Sequence, residues 1–188
     1  MSMTTLANGT AFEPIHGTTI VCVRKDGSVA MAGDGQMTMG SQILKAGTVK
    51  VRRLYKDSVL VGFAGTTADA MTLMDLLDKK LEEYSGNLLR AAVELTKTWR
   101  TDRMLRHLEA MMLAADREHT VLISGAGDVV EPENDVAAIG SGGGFALAAS
   151  RALMMGSSYD AKKIAETAIR IASEICIYTD DKITVEVL

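Results

Sequence analysis

The stretch TTIVCVRKDGSVAMA, residues 18–32, decides the fold. Its β-branched run at 19–23 predicts a strand, and Asp26-Gly27 supplies the positive φ values that a tight hairpin turn needs at its centre. Residues 28–32 then return as the partner strand. An antiparallel hairpin therefore opens the fold, and residues 1–17 before it are small, polar and unpatterned, which is typical of a leader.

More strands and helices follow this hairpin. Two further hairpins are predicted, at 51–63 around a Lys56-Asp57 turn and at 121–131 around a Gly-Ala-Gly-Asp turn. Short strands are expected at 136–139 and 183–188. Apolar residues at helical spacing predict four helices, the second of which runs from Leu88 to Met112. These helices cover residues 71–81, 88–112, 145–155 and 161–178.

This order of elements differs from the regular alternation of a doubly wound sheet. Antiparallel sheets packed face to face, with helix pairs outside, bury the apolar strand faces and the helix stripes together. The sequence therefore predicts an α+β fold, a four-layer αββα sandwich, as a single domain over residues 18–188.

Composition excludes several classes of function. A formal net charge of −4 gives no general reason to expect nucleic acid or an anionic membrane as partner. No stretch approaches the roughly 18 apolar residues of a membrane helix, and residues 1–17 lack the basic and apolar regions of a secretory signal. We therefore expect a cytoplasmic location, with Cys22 and Cys176 as free buried thiols.

Common catalytic motifs are absent from the glycine-rich segments. Residues 33–36, Gly-Asp-Gly-Gln, lack the Gly-Lys-Ser/Thr of a phosphate-binding loop, and neither they nor residues 140–144 have the dinucleotide spacing. Ser141 has Ile139 where a nucleophile elbow requires glycine. Nucleotide binding and serine hydrolysis are therefore not supported.

Four positions at the ends of predicted strands form a candidate site: Thr18, Asp34, Lys50 and Gly62. Taken singly, the threonine is an ordinary β-former, the aspartate an ordinary turn residue and the lysine an ordinary solvated charge. Strand pairing can bring these ends to one rim of the sandwich, where sites form. The combination is therefore more informative than any one residue.

Seven segments, in order along the chain, resemble the HslV peptidases, bacterial relatives of the proteasome β-subunits. They are Thr18–Val21, Ala32–Gln36, Val51–Tyr55, Gly62–Gly65, Trp99–Arg103, Pro132–Asp135 and Ile175–Thr179. The resemblance runs from Thr18 almost to the last residue. It implies the N-terminal nucleophile hydrolase fold and a threonine endopeptidase.

The resemblance also implies a role for each site residue. Thr18 is the nucleophile, and its own α-amino group, with an ordinary pKa near 7.7 to 8.0, is the general base once residues 1–17 are removed. Lys50 disfavours protonation of that amine by charge repulsion, and Asp34 orients Lys50. The Gly62 N–H donates to the developing oxyanion, and glycine there admits the substrate. The Ser141 hydroxyl supports the terminal amine.

This chemistry requires removal of residues 1–17, because the Thr18 nitrogen is not basic while it is part of an amide. Gly17 has no side chain to obstruct attack by the Thr18 hydroxyl, so we predict self-cleavage between Gly17 and Thr18. Two alternatives are a misassigned start codon and removal by another protease.

The family also binds sodium through main-chain oxygens, at positions that match Ser173, Cys176 and Thr179, and uses no organic cofactor. It assembles as a homo-dodecamer of two stacked hexameric rings, to which a separate AAA+ ATPase, HslU, delivers unfolded proteins. Departures from the family pattern are Val49, Gly143-Gly144 and Ser173. Two rivals remain: a catalytically silent ring subunit and an amidase of small molecules.

Overall fold

A computed structural model describes residues 15–39, 41–65, 67–101, 110–124 and 126–188. Within these ranges the chain forms twelve strands and four helices. The strands are β1 Ile15–His16, β2 Thr19–Lys25, β3 Ser28–Gly33, β4 Met37–Met39, β5 Gln42–Lys45, β6 Val51–Leu54, β7 Val59–Gly65, β8 Ala110–Ala115, β9 Thr120–Ile123, β10 Val129–Val130, β11 Val136–Gly140 and β12 Thr184–Val187. The helices are α1 Thr67–Glu83, α2 Leu88–Thr101, α3 Gly143–Gly156 and α4 Ala161–Ile175.

The strands form two main sheets and one small sheet. One main sheet has the order β11-β2-β3-β12, and the other has the order β10-β9-β8-β7-β6. All the pairs in both are antiparallel. The small sheet, β1-β4-β5, pairs the end of the predicted leader with the segment that follows Asp34.

Three apolar clusters define four layers. Residues of α1 and α2 pack on the five-stranded sheet around Leu77, Leu95 and Trp99. Residues of α3 and α4 pack on the four-stranded sheet around Ile164 and Ile169. The third cluster lies between the two sheets and contains Ile20, Met31, Val51, Leu60 and Leu113. The predicted αββα sandwich is therefore confirmed.

The predicted hairpins are present. Asp26 and Gly27 have φ values of 51° and 76°, as a primed turn requires, and β2 pairs with β3 from Ile20–Gly33 to Lys25–Ser28. The turn between β6 and β7 is wider than predicted, because Tyr55 also has a positive φ, of 43°. The hairpin of β9 and β10 is confirmed as well.

Some predicted boundaries were wrong. Helix α2 is described as far as Thr101, and Met112 lies in strand β8 rather than at the end of a long helix. The intervening residues 102–109 of that predicted helix lie outside the described ranges, as do residues 1–14 of the leader. Helix α4 ends at Ile175, three residues before the predicted end. Strands β1, β4 and β5 were not predicted.

Cys22 and Cys176 are free and buried, as expected. Burial raises the pKa of the Cys22 thiol to about 11, against the smaller effect of its hydrogen bond with Thr120. None of the helices in the described part of the chain is long and apolar enough to cross a membrane.

Candidate active site

The fold brings three of the four predicted strand ends together. Thr18 immediately precedes β2, Asp34 follows β3, and Lys50 precedes β6. Pairing of β2 with β3 sets Asp34 beside Thr19, whose N–H donates to Asp34 Oδ1 at 2.7 Å. The two main sheets approach closely here, since a Cβ atom added at Gly33 would lie 3.1 Å from Val51 Cγ2. That approach carries Lys50 to the same rim.

Lys50 is the central cation of the site and is only 2% exposed. Its Nζ donates to Asp34 Oδ1 at 3.0 Å, to the Gly17 carbonyl at 2.7 Å and to the Gln36 carbonyl at 2.5 Å. These bonds use all three donors of an ammonium group. Burial lowers the pKa of Lys50, and the charge and hydrogen bond of Asp34 oppose that effect.

The Asp34 carboxylate is held from several directions. Oδ1 accepts from Lys50 and from the Thr19 N–H, while Oδ2 accepts from the Gln36 N–H at 2.9 Å and the Asp180 N–H at 3.4 Å. Both oxygens therefore have partners, as a buried carboxylate requires. This arrangement fixes Lys50 against the peptide bond that precedes Thr18.

Thr18 is buried, and its Oγ1 donates to the Gly17 carbonyl at 2.6 Å. The Thr18 carbonyl accepts from the Ser141 N–H at 2.9 Å. Ser141 thus reaches Thr18 through its main chain, and the role of its hydroxyl stays a prediction. Gly140 has a φ of 90°, and a Cβ atom there would collide with the Thr18 carbonyl, so glycine is required beside the nucleophile.

A pair of threonine hydroxyls that the sequence analysis did not predict lies next to Thr18. Thr19 Oγ1 lies 2.7 Å from Thr179 Oγ1 and accepts from the Gly142 N–H at 2.9 Å. The bonds join β2, the start of α3 and the segment after α4. No sequence period marks these threonines, since each lies in a different element.

Gly62 has a different environment from the one predicted. It lies within β7, opposite Val51 of β6 and Leu113 of β8, so its N–H is directed into the sheet. A Cβ atom there would lie 2.5 Å from Ile20 Cγ2, which means that core packing, and not room for substrate, requires glycine. Its role as oxyanion donor stays a prediction that this geometry does not favour.

The end of β7 is better placed for that role. Ala64 lies beside Gly140 and therefore near Thr18, because a Cβ atom at Gly140 would be 3.4 Å from Ala64 Cβ. Gly65 is the next residue, about 10 Å along the strand from Gly62. It is exposed and has a φ of 133°. The resemblance implied the role for Gly62 alone, and only the strand pairing distinguishes its environment from that of Gly65.

The predicted sodium ligands lie at the end of α4. The Cys176 N–H donates to the Ala172 carbonyl, and the Cys176 carbonyl accepts from the Thr179 N–H at 3.1 Å. Ser173 is in the last turn, where helix carbonyls lack helical partners. Ser173 and Cys176 are about one helical turn apart, and Thr179 follows three residues later, with its hydroxyl beside that of Thr19.

An αββα sandwich with a buried Lys–Asp pair beside a threonine that opens a strand defines an N-terminal nucleophile hydrolase of the threonine type. Comparison with known proteins narrows this class. The proteasome-subunit family matches residues 15–188. The ATP-dependent protease subunit HslV of Desulfovibrio desulfuricans is 59% identical over 174 residues, which are 92% of this chain and 98% of the relative. HslV of Aquifex aeolicus is 55% identical over 172 residues, again with 92% and 98% covered.

A solved structure agrees with these relatives. The crystal structure of eukaryotic HslV from Trypanosoma brucei superposes with a TM-score of 0.86 at 49% identity, covering 90% of this chain and 98% of that one. The chain therefore belongs to the proteasome family and, within it, to the HslV subunits. The resemblance noted in the sequence is confirmed.

Proposed function

We propose that this chain is the proteolytic subunit of an ATP-dependent protease and hydrolyses peptide bonds with Thr18 as nucleophile. The observation that carries the proposal is the position of Lys50. Its ammonium group contacts both Asp34 and the carbonyl of the peptide bond that precedes Thr18. A buried ammonium at that place can stabilise negative charge on this carbonyl oxygen and disfavour protonation of an amine on Thr18.

Removal of residues 1–17 leaves a free amine on Thr18. That amine takes the proton of the Thr18 hydroxyl as Oγ1 attacks the substrate carbonyl carbon. The peptide C–N bond then breaks as the Thr18 ammonium gives this proton to the leaving nitrogen, which leaves an ester on Thr18. Water then hydrolyses the ester. Lys50 keeps the amine neutral by charge repulsion, and a backbone N–H at the oxyanion contributes on the order of 10² to 10³ in rate.

The same groups support self-cleavage after Gly17. Thr18 Oγ1 lies next to the Gly17 carbonyl, and Lys50 donates a hydrogen bond to that carbonyl oxygen. Oγ1 gives up its proton as it attacks the carbonyl carbon, Lys50 stabilises the negative oxygen, and the Gly17–Thr18 C–N bond breaks as the departing Thr18 nitrogen takes that proton. Hydrolysis of the resulting ester releases the leader, so residues 18–188 form the mature domain.

A sodium ion fits the segment 173–179, which contains Ser173, Cys176 and Thr179. Helix carbonyls carry partial negative charge at this end of α4, and main-chain oxygens suit a hard cation. Asp180 follows directly, and its Oδ2 is buried without a hydrogen-bond partner among the described residues. We propose that these carbonyls hold the ion, which stabilises the segment and takes no part in the chemistry.

Partners are proposed from the relatives. The HslV proteins are named subunits of an ATP-dependent protease, and this sequence has no nucleotide-binding motif, so ATP is used by a separate ATPase of the HslU type. Large exposed apolar side chains, such as Ile43 and Met155, support burial between copies of the chain. We propose a homo-dodecamer of two hexameric rings in the cytoplasm, without nucleic acid or membrane.

The test is a Thr18→Ala variant beside wild type and Thr101→Ala, a threonine variant at the exposed end of α2. Intact mass reports the leader, and a fluorogenic peptide reports hydrolysis. Wild type and Thr101→Ala begin at Thr18 and cut the peptide, while Thr18→Ala keeps residues 1–17 and is inactive. Peptide hydrolysis by Thr18→Ala contradicts the proposal, and a silent ring subunit is indicated if wild type is inactive with the ATPase.

The alternative function, a small-molecule amidase, is distinguished from a peptidase by its substrates. Hydrolysis of short peptides and of amide metabolites is compared with and without the ATPase and ATP. A peptidase cuts the peptides and responds to the ATPase, whereas an amidase cuts the metabolites and does not.

A further inference from the structure

The segment that follows α4, residues 176–180, contacts the loop that carries the catalytic aspartate. We name residues 176–180 the exit segment and residues 34–36 the aspartate loop. Gln36 Nε2 donates to the Ile177 carbonyl at 2.8 Å, the Gly35 N–H donates to Asp180 Oδ1 at 2.8 Å, and the Asp180 N–H donates to Asp34 Oδ2 at 3.4 Å. Three hydrogen bonds therefore join two segments about 140 residues apart in the chain.

Asp180 makes two of these three bonds. Its Oδ1 also accepts from the Lys182 N–H at 3.2 Å, so the carboxylate bridges the exit segment, the approach to β12 and the aspartate loop. On its other side the loop is tied to residues 47 and 48, because the Thr48 N–H donates to the Gly35 carbonyl at 2.9 Å. A Cβ atom added at Gly35 would lie 2.6 Å from the Gly47 nitrogen. The aspartate loop is thus held between Asp180 and this second loop.

The position of the aspartate loop decides the position of Lys50. Two of the three acceptors of the Lys50 ammonium, Asp34 Oδ1 and the Gln36 carbonyl, belong to this loop. A shift of the loop moves both acceptors, and the ammonium moves with them relative to Thr18. Loss of the Asp180 side chain leaves the buried Gly35 N–H without its acceptor, which favours such a shift.

We propose that Asp180 is a positioning residue that holds the aspartate loop, and through it the Asp34–Lys50 pair, in register with Thr18. The proposal rests on the proposed function, because it concerns the same site. Asp180 touches neither Thr18 nor Lys50 in the described hydrogen bonds, so it acts through Gly35 and Asp34. Its negative charge also raises the pKa of Lys50, against the larger effect of burial.

The experiment compares Asp180→Ala and Asp180→Asn in the full chain, with the ATPase present. Asparagine keeps an oxygen that can accept from the Gly35 N–H, whereas alanine does not. Asp181→Ala is the matched control, since Asp181 is the exposed neighbour. We expect Asp180→Ala to lower kcat by about 10- to 100-fold with little change in KM, the size of effect that a small misplacement of catalytic groups produces. Asp180→Asn recovers most of that loss.

Two outcomes overturn the proposal. One is a kcat for Asp180→Ala within about twofold of wild type. The other is an equal loss in the alanine and asparagine variants together with a lower Tm, which indicates a structural role only. If Asp180→Ala does not fold, Asp180→Ser takes its place, because the shorter serine side chain does not reach the Gly35 N–H, and the same two outcomes apply. Wild type assayed with Thr18→Ala in parallel separates failure of this proposal from failure of the proposed function.

Discussion

Lys50 shows why this site needs a lysine. Its three acceptors, on Gly17, Asp34 and Gln36, surround a single nitrogen, and an ammonium group can donate in three separate directions. An arginine presents a flat fork, which suits two oxygens in one plane. The Lys50 charge is buried, and the Asp34 carboxylate at 3.0 Å compensates for the cost of removing that charge from water.

Replacing Lys50 with methionine tests how strongly the buried Lys50 and Asp34 charges depend on each other. Asp34 then remains as a buried charge without a cation, and removal of one partner of a buried pair costs about 3–5 kcal/mol. We expect a clear drop in Tm and no peptide hydrolysis, while Lys162→Met, at an exposed position of α4, behaves as wild type. Lys50→Arg keeps the charge and loses less stability, yet remains nearly inactive. A wild-type Tm for Lys50→Met would contradict the coupling of Lys50 and Asp34.

Gly62 gives a prediction about stability rather than chemistry. Gly62→Ala forces a methyl group against Ile20 and the Met31 sulfur, and overpacking of this kind costs about 1–3 kcal/mol. Gly144→Ala is the control, because a Cβ atom there meets no atom within 4 Å. Thermal unfolding checks both, and Gly62→Ala should lower the Tm less in an Ile20→Ala background than in the wild-type chain, because the added methyl group then enters the space that Ile20 leaves. An unchanged Tm for Gly62→Ala would show that the inter-sheet space is larger than described.

The residues of the site were predictable to different degrees. Neither Asp34 nor Lys50 stands out in the sequence when it is considered alone. Their roles were implied by the resemblance to the HslV family, and their contact in the structure supports those roles. Gln36 and Asp180 were missed because loop residues have no period, and their partners are distant in sequence. The close packing of Gly62 against Ile20 was missed for the same reason, since Ile20 belongs to the other sheet.

Among the secondary-structure elements, most helices and strands were predicted by the hydrophobic pattern of the sequence, but β8 was not. Its sequence, Ala-Met-Met-Leu-Ala-Ala, consists of good helix formers and lacks β-branched residues, so local preference favours a helix. Pairing with β7 and β9 on both sides overrides that preference. Strand β5 was missed for another reason: all four of its side chains are exposed, so no apolar alternation marks it.

The strand formed by the end of the leader gives an element-scale prediction. Gly17 has a φ of 121°, and a Cβ atom there would lie 3.1 Å from both the Gln36 carbonyl oxygen and Thr38 Oγ1. Gly17→Ala is therefore strained at the bond to be cut and should slow leader removal, as measured by intact mass over time. Gly27→Ala carries similar strain at φ 76°, in a hairpin turn at the other end of β2, and should mature at the wild-type rate. Equal rates for the two variants would refute this view of Gly17.

At the scale of the whole molecule, the exposed apolar side chains predict assembly. Ile43 and Met155 are 63% and 85% exposed, on β5 and α3 respectively, which are far apart in the sequence. We expect a particle of twelve protomers by native mass spectrometry, and the same particle for Thr18→Ala. Charged replacements, Ile43→Glu or Met155→Glu, should give smaller species without unfolding the protomer. A wild-type protein that remains a monomer would contradict the assembly.

The anchoring of Thr18 from its downstream side has a consequence for maturation. Among the described contacts at this residue and its neighbours, the bonds to Ser141 and Asp34 involve atoms that remain after the cut, whereas the two bonds that end on the Gly17 carbonyl and the pairing of β1 with β4 are lost with the leader. Cleavage therefore converts the Thr18 amide nitrogen into an amine while the downstream anchors of Thr18 stay in place. Activation becomes a change of functional group within a framework already assembled.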